Sequence, residues 1–256
     1  MAKKNQVAKK ESNTEVSFME DMLEDAGMGL ENADKDSFAI PFLTVLQGLS
    51  PQLESIDGAK PGLIINTITE ELHKEVMVVP CAYQRRYLRW APRELGGGYR
   101  GDHSPIEVDS GQLAGVKRDD DGVLTIEGDV LKDTRNHFCM VQSESGGWQP
   151  CLLSLSSTQI KKSKRWMSLI QGVESRTPAG KVFTPPSFAN IYKLSTLKEE
   201  NSKGSWWGVK IELDGPVAEQ ELYQKARDFS KQVMAGEVQV SEPIEETPEK
   251  TFEPPF

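Results

Sequence analysis

The chain has 256 residues, 37% hydrophobic and 27% charged, enough for one generous domain or two small ones with a real core. No run approaches the ~18 apolar residues a membrane span needs. The start, "MAKKNQVAKKESNTEV", lacks the apolar stretch of a secretory signal. Three widely spaced cysteines, Cys81, Cys139 and Cys151, argue against a disulfide framework and point to a reducing cytoplasm.

The net charge of −9 argues against nucleic acid until it is divided along the chain. Residues 1–10 carry +4, residues 11–36 carry −8 and residues 237–256 carry −5, which leaves 37–236 neutral. A neutral body between acidic ends can still present a basic groove. Composition therefore divides the chain into a flexible charged arm (1–36), a body (37–236) and a disordered acidic tail (237–256).

In chain order, the arm allows a short helix near Phe18–Leu23. Ser37 is placed to cap a short helix through "FAIPFLTVLQGL", with Pro41 against it. From Gly62 the pattern becomes strands: "LIINTITEEL", "EVMVVPCAYQRRYLRWAP", "GVLTIEGDVL" and "HFCMVQS". The turns between them are "RDDDG" and "SESGG", and Trp148 opens the strand "WQPCLLSLS". "SSTQIKKSKRWMSLIQGV" then reads as a helix capped by Ser156 or Ser157, with Ile160, Met167, Ile170 and Val173 on its apolar face. Two more strands follow, joined by a turn at Asn201–Gly204. Pro216 opens a last helix with Leu222, Ala226, Phe229 and Val233 inward and Gly236 as its stop. The fold class expected is mainly β with α (α+β). The order is that of an OB-like five-stranded barrel with an inserted helix and a C-terminal helix. The segment between Arg93 and Val116 would be a long inserted loop.

The most informative stretch is "YQRRYLRWAPRELGGGYRG". On a strand, Tyr83, Arg85, Tyr87 and Arg89 share one face and Gln84, Arg86, Leu88 and Trp90 the other. Rings that stack bases, interleaved with guanidinium groups for phosphates, are what single-stranded nucleic acid requires. Arg93 and Arg100 extend the basic run. The competing reading is an amphipathic edge strand with solvated arginines. A second basic cluster, Lys161, Lys162, Lys164 and Arg165, falls on the clearest helix of the body, where a solvated face around a core Trp166 is the alternative. Trp206 and Trp207 sit on a strand, so one faces in and one out, and Trp207 is a stacking candidate.

Enzymatic signals are poor. "GGGYRGDH" lacks the Lys-Ser/Thr of a phosphate-binding loop. His137, Cys139 and Cys151 lack the Glu and second Cys of a zinc deaminase. Asp119, Asp120 and Asp121, followed by Gly122, read better as a hairpin turn than as a Mg²⁺ site. No catalytic residue, metal or cofactor is expected.

The tail "SEPIEETPEKTFEPPF" holds four prolines and five glutamates and ends in Phe256. It resembles the C-terminus of bacterial and phage single-stranded-DNA-binding proteins. That resemblance implies that Phe256 enters an apolar pocket on replication and recombination partners, with Pro254 and Pro255 stiffening the approach and the glutamates steering it. The stretches "IPFLTVLQGLSPQL" and "NTITEEL" through "RELGGG" look similar to a phage-encoded family of the replication and recombination region. The expectation is a sequence-nonspecific single-stranded-DNA-binding protein of phage replication and recombination, in the host cytoplasm and away from membranes. Its contacts would be Tyr83, Arg85, Arg86, Tyr87, Arg89, Trp90, Arg93, Lys161, Lys162, Arg165 and Trp207. A strand-annealing recombinase and a metal-dependent nuclease are the alternatives, and a homo-oligomer stays open.

Overall fold

The computed structural model describes residues 18–33, 39–92, 94, 96–120, 122–202, 204–238 and 240. It divides into two units, residues 1–38 and 39–256. In the first, residues 18–24 form a short helix (α1), where the sequence allowed one. The Ser37 cap, Arg93, Asp121 and the tail beyond Val240 lie outside the described residues.

The second unit is mixed α/β and mostly strands. It begins with a small antiparallel sheet of β1 (Leu43–Val45), β2 (Ile64–Asn66) and β3 (Leu72–His73), with the short α2 (Gln52–Ser55) between β1 and β2. The helix expected over "FAIPFLTVLQGL" is therefore a strand. Leu43 and Ile64 are buried together in the main core, and alternation serves that burial better than a helical stripe would.

An eight-stranded curled sheet follows. Its two long members are β4 (Glu75–Trp90) and β8 (Asp129–Gln142), which pair antiparallel along residues 78–90. β9 (Trp148–Ser156) pairs with the far side of β8. β12 (Asn190–Asn201) returns beside the start of β4 and forms a hairpin with β13 (Gly204–Pro216), which places β13, β12, β4, β8 and β9 in that order. Proline is tolerated at two places for different reasons. Pro80 sits at a register shift in β4, and Pro150 lies on β9, whose ladder partner is β8.

From Tyr99 onward the segment expected as a long loop carries secondary structure. β5 (Tyr99–His103) adds to the edge of β4, and α3 (Pro105–Asp109) starts at a Ser104–Glu107 capping box. The hairpin of β6 (Val116–Arg118) and β7 (Leu124–Ile126) continues the sheet from β8. Val108, Ile126 and Leu131 close a small core over Tyr87.

The sheet buries both faces. One face packs Val78, Cys139, Leu153, Tyr192 and Val209 around Trp166 of α4 (Ile160–Gly172). The other packs Val79, Phe138 and Leu152 against Leu222, Ala226, Phe229 and Val233 of α5 (Gln220–Met234). That stripe of α5 is the expected one, although the helix begins at Gln220 and Pro216 ends β13. On α4 the fully buried residues are Ser163 and Trp166; of the expected apolar stripe, Ile170 packs against the same core and Met167 is half-buried. Ser163 is inward because its hydroxyl meets His137 Nε2 at 2.8 Å. Neither Ser156 nor Ser157 caps α4; a 3₁₀ turn at Ser157–Gln159 leads into it without a side-chain cap. A last hairpin, β10 (Ser175–Arg176) with β11 (Val182–Phe183), stands apart from the large sheet.

Candidate nucleic-acid interface

Alternation along β4 sorts its side chains as the sequence indicates, but the two faces meet different fates. Arg85 donates to Asp133 (3.2 and 3.0 Å), Asp109 (2.6 Å) and the Tyr87 hydroxyl (2.6 Å). Tyr87 donates in turn to Asp109 at 2.7 Å and is only 6% exposed. Burial and that bond push the Tyr87 phenol up to about 12, while the same bond and Arg85 lower Asp109. Arg89 holds Asp129 (2.5 Å) and Glu127 (2.9 Å), and Arg135 links the Tyr83 hydroxyl to Asp133. The tyrosine–arginine face is thus tied into a carboxylate network that staples α3 and the β7–β8 turn to the sheet. The Tyr87 ring is not presented to solvent, so the stacking role expected for it has no open face.

The opposite face is open beyond α5. There Leu88, Trp90, Lys132, Thr134 and Ser154 line a cleft of about 390 Å³. Its far wall comes from the tip of the β12–β13 hairpin, where Trp206 and Trp207 both reach it. The cleft lies where β9 and β13 face each other across β1. Side chains bridge this seam. The Gln47 amide both donates to and accepts from the Trp207 backbone, each at 2.9 Å, and Gln159 Oε1 accepts from Val209 N at 3.0 Å.

Each tryptophan is held differently. The Trp207 ring lies on Gly62, whose missing side chain makes the room: a Cβ there would sit 2.7 Å from the indole, and Gly62 has φ +91. Trp206 Nε1 donates to Glu199 at 3.0 Å, and Glu199 also meets Lys162 Nζ at 2.5 Å. Burial opposes ionisation of Glu199, but the bonds from Lys162 and Trp206 outweigh it and lower its pKa. Trp90 packs edge-on to Tyr99 at 5.7 Å. All three tryptophans are half-buried.

A second, more polar cleft of about 320 Å³ adjoins the first through Phe42, Leu88 and Ser154. Gln84, Arg86, Tyr99, Asp102 and Asn136 line it, and Arg86 Nε is paired with Asp102 Oδ2. On α4, Lys161 and Arg165 are exposed while Lys162 is engaged by Glu199.

Of the residues expected at the site, Trp90 and Trp207 meet in one cleft and Arg86 lines its neighbour. Tyr83, Arg85, Tyr87 and Arg89 form the carboxylate network. Arg93, Pro254, Pro255 and Phe256 lie outside the described residues. Sequence reasoning passed over Lys132, Gln47 and Gly62, and expected only one of Trp206 and Trp207 to face outward. Only the doublet Trp206–Trp207 carried a local signal; the others arrive through topology.

Several other titratable groups are buried within the fold. His137 is buried, stacked on Trp166 at 4.5 Å, and burial with Arg135 nearby depresses it to about 3. Cys81, Cys139 and Cys151 are buried free thiols, raised by burial. Among the described residues no three His, Cys, Asp or Glu converge as for a metal ion, and no helix is long and apolar enough to cross a membrane.

The chain is thus a mostly-β α+β protein with a tryptophan-lined cleft beside its curled sheet. A family profile described as Pam3 phage gp34-like protein matches residues 8–239, and the chain belongs to that phage family. No curated protein and no solved structure matches it.

Proposed function

We propose that this phage-family protein binds single-stranded DNA, largely without regard to sequence, in phage replication or recombination. The observation that carries the reading is the convergence of Trp90, Trp206 and Trp207 on one cleft with Lys132. Indole faces stack any base, at about 1–3 kcal/mol per base by alanine substitution, while cations follow the backbone.

The topology supports it. The β4–β8–β9 meander, then α4, then the β12–β13 hairpin returning beside β4, is compatible with an OB-like order, and we read it so. Such barrels bind oligonucleotides on the face of their second and third strands, between the first and last loops. Here those strands are β8 and β9, and the last loop is the β12–β13 turn beside Trp206. The difference is the seam, bridged by β1 and two glutamine amides instead of a direct ladder. In this reading Lys132, Lys161, Lys162 and Arg165 hold phosphates, and Phe256 with Pro254 and Pro255 recruits replication or recombination proteins.

The test is fluorescence anisotropy of a labelled oligo-dT of about 30 nucleotides, titrated with the full chain and with one ending at Val240, at several salt concentrations. Tight, salt-steep binding that persists without the tail is expected. Absence of binding by both chains refutes the reading.

A further inference from the structure

From the polar cleft beside the tryptophans we infer a subsite for a single guanine base. This rests on the strand-binding reading and sharpens it: the tryptophan cleft accepts any base, and its neighbour prefers one.

The argument is chemical complementarity. Asp102 and Arg86 stand side by side on the wall, joined from Nε to Oδ2. The Asp102 carboxylate accepts only, and the guanidinium donates only. Among the DNA bases, guanine alone offers two adjacent N–H donors on its Watson–Crick edge, which suit a carboxylate. Its O6 and N7 acceptors suit an arginine. Thymine and cytosine each present one donor beside acceptors, and adenine lacks the O6 acceptor. Gln84 and Asn136, opposed in the β4–β8 register, add amides that both donate and accept.

Size and position agree. About 320 Å³ lies at the lower end of small-ligand pockets and suits one base, not a run of them. Tyr99 supplies a ring on the wall and touches Trp90 of the first cleft edge-on at 5.7 Å. A strand stacked on Trp90 would therefore deliver its next base to the polar cleft. Leu88, Val233 and Val238 add an apolar edge to the pocket against which a base ring can rest.

The experiment compares the full chain on an oligo-dT and on the same oligonucleotide with one central guanine or one central adenine, alongside dGMP and dTMP read by tryptophan fluorescence. The guanine-containing strand is expected to bind about tenfold tighter than the other two, within the discrimination of one bidentate base contact. Asp102→Asn is expected to erase that preference while oligo-dT affinity holds. Gln84→Ala, which leaves the Arg86–Asp102 pair intact, is expected to reduce it. Equal affinity for all three strands, with oligo-dT binding intact, overturns the guanine subsite alone. No binding of any strand, with no response to dGMP, overturns both the subsite and the strand-binding reading.

Discussion

Gly62→Ala perturbs the cleft without touching any polar group. Two separate costs follow from the structure. At φ +91 an alanine is strained by about 1–2 kcal/mol. Its Cβ would also lie 2.7 Å from two carbons of the Trp207 indole, which must shift against the paired hydrogen bonds Gln47 makes to the Trp207 backbone. Overpacking of this kind costs about 1–3 kcal/mol. The single variant should lose about 3 kcal/mol, or roughly 6–12 °C in Tm for a domain of this size. In a Trp207→Ala background the clash disappears and the backbone strain remains, so the same change should cost only about 1–2 kcal/mol. Urea unfolding of the four proteins gives the coupling directly. If Gly62→Ala costs the same in both backgrounds, the indole does not rest on Gly62 and the argument fails.

Three other outcomes follow from the same geometry. His137 is neutral when folded (about 3) and titrates near 6.5 when unfolded, so its contribution is present above pH 6.5 and is lost as pH falls toward 3. Between pH 7 and 5 the chain should lose about 2 kcal/mol that His137→Gln does not lose, measured by denaturant unfolding at each pH. Asp109→Ala should cost only about 1 kcal/mol, since the pair is half open to solvent, and should reduce the acid sensitivity below pH 4 that its lowered pKa creates. Oligo-dT affinity should fall with log salt at a slope of about −3 if four cations hold phosphates; a slope near zero would remove Lys132 and the α4 cations from the interface.

Local pattern was enough for much of the fold. Alternation defined β4 and β9, the 3.6 period found all four buried positions of α5, and the Asn201–Gly204 turn placed the β12–β13 hairpin. Misreadings came where distant residues decide. The arginines of β4 stand beside one acid in their own window, Glu94, yet their partners Asp102, Asp109, Asp129 and Asp133 lie 16 to 48 residues away. A basic strand in sequence is therefore a nearly neutral network in space. Within the helix read over "FAIPFLTVLQGL" lies β1, because pairing with β2, some 20 residues further on, buries Leu43 with Ile64. Ser163 on α4 was not read as inward, because its partner, buried His137, lies 26 residues away on another element. Trp90 and Trp207 were legible as candidates, but their meeting, 117 residues apart in sequence, is a product of topology.

The most direct test compares oligo-dT binding by the wild-type chain with that of Trp206→Ala, Trp207→Ala and Arg85→Ala at one low salt concentration, each variant first checked for cooperative unfolding. If the cleft is the interface, each tryptophan variant loses about tenfold or more in affinity, and Arg85→Ala, which removes a guanidinium already bound by Asp109 and Asp133, stays within about twofold of wild type. Unchanged binding by both tryptophan variants, or a loss confined to Arg85→Ala, would contradict the account and return the interface to the tyrosine–arginine face of β4.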